Sequence, residues 1–232
     1  MRIAEIFRSL QGEGRLTGME SIFIRTSGCN LRCDFCDTPY ASWEPEGPDC
    51  SVDEILSRAA ALETPAGVRH VVITGGEPML FAELPQLCQL LRQRGKHITI
   101  ETAGTCYLSL CCDLMSISPK LSNSTPDVER SGPWRARHES TRRAPEVVGR
   151  LTAEYDYQLK FVIDTPADCA EVDLFLAGFP AIVRDRVLLM PQGTDRAVLT
   201  EKARWLEPYC VRHGFQFCPR RQIEWFGLRR GT

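Results

Sequence analysis

Residues 21–38 read SIFIRTSGCNLRCDFCDT, a short β-branched and aromatic run followed by a loop with three cysteines. Cys29, Cys33 and Cys36 have the spacing CxxxCxxC, and no fourth cysteine continues the pattern nearby. Iron–sulfur cubanes normally take four thiolates. A loop that supplies three leaves one iron without a protein ligand, and an open metal position is where a metal does chemistry.

Outward from this loop, strand-like runs alternate with helix-like runs along most of the chain. The strand-like runs are residues 21–25, 70–74, 97–101, 114–118, 158–163, 186–190 and 215–218. Helices are predicted over residues 51–62, 81–94, 146–153, 168–176 and 194–213. Such alternation predicts an α/β fold with a parallel sheet of about six βα units. Because a closed eight-fold barrel typically needs about 250 residues, we expect a single domain with a partial, open β/α barrel over residues 1–232.

Polar or glycine-rich segments follow directly after several predicted strands. They are the cysteine loop after Arg25, Gly75–Pro78 after Thr74, Ser118–Lys120 after Ile117 and Met190–Gln192 after Leu189. In parallel α/β architectures the C-terminal ends of the strands form the active face. The sequence therefore predicts one site, built from these segments, at the mouth of the barrel.

Residues 121–145 differ from the rest of the chain. The segment is rich in Ser, Asn, Arg and Pro, has few periodic apolar residues and carries five arginines. Polar, aperiodic segments of this length are typical of surface loops. We interpret it as a surface insertion, with arginines that are solvated rather than bound to a partner.

Composition and charge exclude several classes of protein. The formal net charge is −2, so the overall charge gives no reason to expect binding to nucleic acid or to an anionic membrane. The apolar runs are short and interrupted by charges, which argues against a transmembrane span. Residues 1–5, MRIAE, lack the apolar stretch of a signal peptide, so the cytoplasm is the expected compartment. The eleven cysteines are an odd number in a long chain, so we expect mostly free thiols and no disulfide framework.

The cysteine loop, in which Phe35 precedes the third cysteine, resembles the signature of the radical S-adenosylmethionine (radical SAM) superfamily. The run Thr74–Pro78, TGGEP, resembles the GGEP element of that superfamily, in which glycines allow close backbone approach and a carboxylate suits an ammonium group. The resemblance implies a radical SAM type of barrel, a [4Fe–4S] cluster on Cys29, Cys33 and Cys36, and S-adenosylmethionine as cofactor. A zinc site is the alternative, but zinc prefers four ligands and His is scarce in the chain.

Three further runs narrow the resemblance: residues 5–14, EIFRSLQGEG; residues 28–31, GCNL; and residues 36–41, CDTPYA. They are similar to the family of 7-carboxy-7-deazaguanine synthases of the 7-deazapurine (queuosine) pathway. In that family 6-carboxy-5,6,7,8-tetrahydropterin loses a hydrogen atom from C6, its ring contracts and ammonia leaves, while S-adenosylmethionine is regenerated. The resemblance also implies Mg2+ at the substrate carboxylate, an electron donor such as flavodoxin or ferredoxin, and a homodimer.

The motif positions imply a role for each matched residue. The substrate-binding residues would be Leu10, Gln11, Gly12, Glu13, Arg25 and Thr74. Arg25 would clamp the substrate carboxylate with its planar fork. S-adenosylmethionine would face Phe35, Cys36, Asp37, Gly76, Glu77, Ser116, Ser118, Lys120, Met190, Pro191, Gln192 and Gly193. Thr38 matches the magnesium ligand, since a hard cation accepts hydroxyl oxygen, and no catalytic residue is implied beyond the cluster and the cofactor.

The sequence also departs from the family pattern. The loop Met190–Asp195 differs in sequence from the corresponding loop of the family. Gln222 stands near a position where relatives often have His. A role for Thr232 stays open. Taken alone, Arg25 would be a solvated edge residue, because most Arg side chains are exposed. Two other functions remain open: a glycyl-radical-enzyme activase, and a non-enzymatic iron–sulfur or zinc module. The pterin pocket expected from Gln11–Glu13 and Arg25 argues against the activase.

Overall fold

The computed structural model describes all 232 residues and contains one eight-stranded sheet whose strands follow chain order. The strands are β1 (Ile3–Leu10), β2 (Glu20–Thr26), β3 (His70–Gly75), β4 (His97–Thr102), β5 (Leu114–Ile117), β6 (Tyr157–Ile163), β7 (Val187–Pro191) and β8 (Gln216–Phe217). Strands β1 and β2 are antiparallel, and each later pair of neighbours is parallel. Because β1 and β8 are the two edges, the sheet is the open, partial barrel that the sequence predicts.

Helices lie in most of the connections between successive parallel strands, although residues 103–113, between β4 and β5, contain none. They are α1 (Pro39–Ser42), α2 (Val52–Ala60), α3 (Leu84–Gln93), α4 (Val128–Ser131), α5 (Trp134–Thr141), α6 (Pro145–Glu154), α7 (Pro166–Ala177), α8 (Arg196–His213) and α9 (Arg221–Phe226). Short 3-10 turns lie at Pro78–Leu80, Ser122–Ser124 and Arg184–Arg186. None of the helices combines the length and the apolar character of a membrane span. The seven predicted strands are confirmed to within one residue at each end, whereas β1 was not predicted, because charged residues interrupt its apolar pattern.

The apolar core lies between the sheet and the helices. Ile24, Ile73 and Ile100, on three neighbouring strands, are fully buried there. Burying a side chain of this size contributes about 1.5–3 kcal/mol. Helix α2 covers part of this core, and it begins at a capping box formed by Ser51 and Glu54. The sheet is therefore anchored through its apolar face.

The other face of the sheet carries polar side chains near the C-terminal ends of the strands. Successive side chains of a strand point to opposite faces, so the neighbours of the core positions point away from the helices. Arg25 lies opposite Thr74, Glu101 lies opposite Ser116, and Ser116 lies opposite Gln158 in the strand register. A polar row thus crosses β2 to β6 and ends beneath the loops at the C-terminal edge.

Residues 121–145 form helices α4 and α5 and are not the solvated loop that we expected. His138 is fully buried, and its Nδ1 accepts a hydrogen bond from the backbone N–H of Arg32 in the cysteine loop (3.1 Å). Burial lowers the pKa of His138 to about 4, so the neutral ring donates from Nε2 to Ser124 Oγ (3.0 Å). Trp134 stacks on the Arg32 guanidinium at 3.9 Å. The segment therefore packs against the cysteine loop. These contacts are made by single residues, and no apolar periodicity in the sequence predicts them.

Candidate cluster, cofactor and substrate site

The predicted site segments meet at one edge of the sheet. The cysteine loop follows β2, Gly76 and Glu77 follow β3, Ser118–Lys120 follows β5 and Gln192–Gly193 follows β7. A further segment, residues 218–222, follows β8 at the same edge. The parallel topology therefore brings together groups that lie up to about 190 residues apart in the chain.

The cysteine loop holds its three free thiols half-buried. The backbone N–H of Leu31 donates to Cys29 Sγ (3.4 Å), and Ser42 Oγ lies 3.1 Å from Cys36 Sγ. The Trp43 indole donates to the carbonyl oxygen of Cys33 (3.0 Å). Burial raises the pKa of the Cys29 and Cys33 thiols to about 12, so a metal that binds them must displace their protons.

The thiols fit a cluster better than a single metal ion. The structure contains no group of three or more His, Cys, Asp and Glu side chains that could hold one metal ion. A mononuclear zinc site needs four ligands around one ion. The three ligands of a cubane each bind a different iron atom, so they stand further apart, and one loop supplies all three here.

The GGEP segment packs directly on the cysteine loop through backbone. The N–H of Glu77 donates to the carbonyl oxygen of Gly28 (2.9 Å). A Cβ atom at Gly76 would lie 2.1 Å from that oxygen and 2.4 Å from the carbonyl oxygen of Ala41. Gly75 has φ +140°, a conformation that favours glycine. This close approach fixes the loop after β3 against the cluster loop.

The Glu77 side chain stabilises this contact through three hydrogen bonds. It is fully buried, and its carboxylate accepts from Met79 N (3.0 Å), Thr102 Oγ1 (2.8 Å) and Ala103 N (2.8 Å). Burial raises the pKa of this carboxyl despite those hydrogen bonds. With the side chain fully enclosed, the backbone of Gly75–Glu77 is the part of the element that can meet an ammonium group. No side-chain pattern in the sequence could have indicated the backbone donor of Ala103.

Arg25 lies on the polar face of the sheet, and one nitrogen of its side chain is hydrogen-bonded to a neighbouring carboxylate. Its Nε donates to Glu5 Oε1 (2.7 Å), and the Tyr40 hydroxyl donates to the same oxygen (2.8 Å). The side chain is only 16 % exposed, so Arg25 is not a solvated edge residue. Its Nη1 and Nη2 donate to no protein acceptor, which leaves two parallel donors for a carboxylate. Thr74 lies beside it in register.

Glu13 is surrounded by donors from distant parts of the chain. Lys160 Nζ, Arg220 Nε (3.2 Å) and Gln222 Nε2 all donate to its carboxylate. Burial alone would raise the pKa of Glu13, but the charges of Lys160 and Arg220 and these hydrogen bonds hold it well below its ordinary value. Sequence reasoning missed all three partners in this role. They lie 147 or more residues away from Glu13, and no local motif links them.

The rest of the predicted substrate segment is tightly packed. Leu10 is partly exposed at the end of β1, whereas Gln11 is buried and donates from Nε2 to Ser21 Oγ (2.9 Å). The carbonyl oxygen of Gly12 accepts from the backbone N–H of Arg221 (2.9 Å). A Cβ at Gly12 would lie 2.6 Å from the backbone nitrogen of residue 222. The C-terminal segment therefore covers the substrate segment.

The remaining residues that were predicted to face the cofactor line the mouth in two groups. On the β5 side, Ser116 Oγ accepts from Gln158 (2.8 Å), and Lys120 Nζ donates to both oxygens of Ser118 (2.8 Å). Phe35 is half-buried and Thr38 Oγ1 lies 3.8 Å from the sulfur of Cys36.

On the β7 side, Met190 and Pro191 are buried. The Gln192 carbonyl accepts from Lys202 (2.7 Å), and the Gly193 carbonyl accepts from Arg220 Nη1 (2.6 Å). Asp37, on the cluster loop, also accepts from Arg220. Arg220 thus links Gln192–Gly193, the loop that follows β7 and is here called the β7 loop, to the cysteine loop.

Comparison with known proteins agrees with this geometry. The pattern of the Radical SAM superfamily matches residues 23–146, so the chain belongs to that superfamily. It is 48% identical to the 7-carboxy-7-deazaguanine synthase of Rhodopirellula baltica, over 99% of this chain and 88% of the relative. It is 42% identical to the synthase of that name from Halobacterium salinarum, over 95% of this chain and 88% of the relative. Within the superfamily, the chain belongs to the family of 7-carboxy-7-deazaguanine synthases.

A solved structure supports the fold. The crystal structure of QueE from Escherichia coli superposes with a TM-score of 0.67 at 24% identity, over 95% of this chain and 93% of that one. The open sheet is therefore shared across nearly the whole chain.

Proposed function

We propose that this chain converts 6-carboxy-5,6,7,8-tetrahydropterin into 7-carboxy-7-deazaguanine, with ring contraction and loss of ammonia. The observation that carries the proposal is the pair of charged groups beside the cysteine loop. Arg25 has two unused donors, and Glu13 is held as a carboxylate by Lys160 and by Arg220, which also binds Asp37 of the cysteine loop. A pterin acid has a carboxylate and a guanidine-like edge, which these two groups complement.

The cysteines and the loops around them would hold the cofactors. When bound, a [4Fe–4S] cluster on Cys29, Cys33 and Cys36 and S-adenosylmethionine would supply the radical that removes the C6 hydrogen. The backbone of Gly75–Glu77 would orient the ammonium group of S-adenosylmethionine. Ser118 and Lys120 on one side, and the loop Met190–Gly193 on the other, would enclose the rest of it. Their shared task is to position the cofactor and exclude water.

Arg25 and Glu13 would orient the substrate. Arg25 would bind the carboxylate through Nη1 and Nη2, because Glu5 already holds its Nε. Glu13 would accept from the guanidine-like edge, and its lowered pKa keeps it ionised near neutral pH. Thr74 would lie against the ring beside Arg25. These two contacts would fix the long axis of the substrate in the site.

The proposal includes a magnesium ion, an electron donor and a homodimer. The Thr38 hydroxyl has one hydrogen-bond contact, with the sulfur of Cys36 at 3.8 Å, so it could join substrate oxygens around Mg2+. Flavodoxin or ferredoxin would supply the electron. We further propose that the protein acts in the cytoplasm, as its small-molecule substrate suits.

Anaerobic turnover tests the proposed function. Protein with a reconstituted cluster is given the carboxytetrahydropterin, S-adenosylmethionine, dithionite and Mg2+, and the product is identified by mass spectrometry. We expect 7-carboxy-7-deazaguanine, and no product when S-adenosylmethionine is omitted. Absence of product with an intact cluster overturns the proposal. Deuterium passing from a labelled partner glycine into 5′-deoxyadenosine would instead support the activase, which the comparisons do not favour.

A further inference from the structure

One arginine of the C-terminal segment contacts three separate parts of the site. Arg220 lies between β8 and α9 and is only 8% exposed. Its Nε donates to Glu13 (3.2 Å), its Nη1 to the carbonyl oxygen of Gly193 (2.6 Å) and its Nη2 to Asp37. These acceptors belong to the substrate segment, the β7 loop and the cysteine loop.

The positive charge of Arg220 is balanced by negatively charged neighbours. Glu13 and Asp37 carry negative charges against Arg220, and Lys160 pairs with Glu13 on its other side. A buried guanidinium with all three nitrogens engaged is held in one orientation, because its planar fork has fixed donor directions. A lysine at this position has a single nitrogen and cannot reach three acceptors in the same geometry.

The neighbouring arginine is different. Arg221 is exposed, and its side chain pairs only with Glu224 on its own helix (2.6 Å). Its contact with the substrate segment is made by its backbone N–H, which donates to Gly12. A side-chain change at Arg221 therefore leaves the three-way contact intact, which makes it a matched control.

We propose that Arg220 is a positioning residue that sets the distance between the bound substrate and the bound cofactor. This inference rests on the proposed function, since it assigns Glu13 to the substrate and the other two segments to the cofactor side. Hydrogen abstraction requires the reacting atoms to be held close and aligned, and a misplacement of about 1 Å can cost about 100-fold in rate. One guanidinium that spans the segments is a direct means of holding that distance.

Loss of the positioning contact has a specific signature. Cofactor cleavage then continues without hydrogen abstraction from substrate, so S-adenosylmethionine is consumed. In that side reaction dithionite supplies two electrons and water one proton, and S-adenosylmethionine gives methionine and 5′-deoxyadenosine. A merely structural role would lower cleavage and product formation together and leave their ratio unchanged.

The test compares Arg220→Lys and Arg220→Gln with Arg221→Gln in the reconstituted enzyme. We expect product formation in the Arg220 variants to fall about 100-fold, with an unchanged cluster spectrum. We expect the ratio of 5′-deoxyadenosine to deazapurine to rise at least about tenfold, while Arg221→Gln matches the wild type. The milder Asp37→Asn, at the exposed end of the network, should raise the ratio in the same direction.

The outcomes separate the two proposals. A wild type that makes no deazapurine overturns the proposed function and this inference with it. A wild type that turns over, with an unchanged ratio in the Arg220 variants, overturns this inference alone. If the Arg220 variants do not fold, an unchanged ratio in Asp37→Asn overturns it in their place.

Discussion

Glu77 and Glu13 are both buried carboxylates at the mouth of the barrel, yet different kinds of neighbour hold them. Glu77 accepts from two backbone N–H groups and a threonine hydroxyl, and burial raises its pKa. Glu13 accepts from Lys160, Arg220 and an amide, and its pKa is lowered. The proposed cofactor side of the site is thus fixed by backbone packing and neutral donors, and the proposed substrate side by long-range ion pairs.

The two sides are therefore sensitive to different changes. The cofactor side has backbone atoms in close contact, so it should respond most to added volume or lost ligands. The substrate side is held by paired charges, so it should respond most to pH and to the removal of one partner.

The largest effect is expected at the cluster ligands. Cys33→Ala removes one of the three thiolates of the CxxxCxxC motif, which no further cysteine continues in the sequence, so the cluster should be lost and turnover abolished. Iron content and the visible absorption of the reconstituted protein measure this. Cys169→Ala, a buried cysteine on α7, is the control and should keep both. A Cys33→Ala protein with a full cluster would contradict the ligand assignment.

Replacement of the two glutamates should give opposite responses to pH. Glu13→Gln leaves Lys160 and Arg220 without their buried partner and should destabilise the fold by about 3 kcal/mol near pH 7. The Glu13 pKa lies below its ordinary 4.5, so the stability it contributes is complete well above pH 4.5 and is lost as the pH falls below that value. The Glu77 pKa lies above its ordinary 4.5, so its contribution is largest below pH 4.5 and declines as the pH rises.

Unfolding free energies of wild type, Glu13→Gln and Glu77→Gln between about pH 3.5 and 7 test this contrast. The difference between wild type and Glu13→Gln should grow with pH, and the difference between wild type and Glu77→Gln should shrink. Two curves with the same slope would show that the two sides are not held differently.

A smaller loss is expected from volume added on the cofactor side. Gly76→Ala places a methyl group 2.1 Å from a backbone oxygen of the cysteine loop, and such overpacking costs about 2 kcal/mol. Gly149→Ala on α6 is the control, because its nearest neighbour is a side-chain atom at 3.5 Å; it should stabilise by about 0.5–1 kcal/mol through helix propensity. Thermal unfolding of both variants measures the difference. Equal effects would contradict the inference that the backbone around Gly76 is tightly packed.

The smallest of these effects is expected at Arg25. Arg25→Lys keeps the charge but loses the two parallel donors, so KM for the pterin should rise about tenfold. Binding of S-adenosylmethionine, measured from the cluster spectrum, should stay as in the wild type. A change in cofactor binding with an unchanged KM would place Arg25 on the cofactor side.

The same contrast explains how much the sequence could predict. The cysteine loop and the GGEP segment are local motifs that follow predicted strands, so their meeting at one edge could be foreseen. Lys160 and Arg220 are single charged residues far from Glu13 in the chain, and only the strand order brings them to it. The helices within residues 121–145 were not predicted for a similar reason, because His138 and Trp134 contact the cysteine loop singly and without periodicity.

The central claim is that the cysteine loop leaves one iron of a cubane open to S-adenosylmethionine. Electron paramagnetic resonance of the reduced, reconstituted wild type, with and without S-adenosylmethionine, tests it most directly. We predict a [4Fe–4S] signal that shifts when the cofactor is added. A spectrum that the cofactor leaves unchanged would contradict the account, because it would mean that the polypeptide already fills the fourth position.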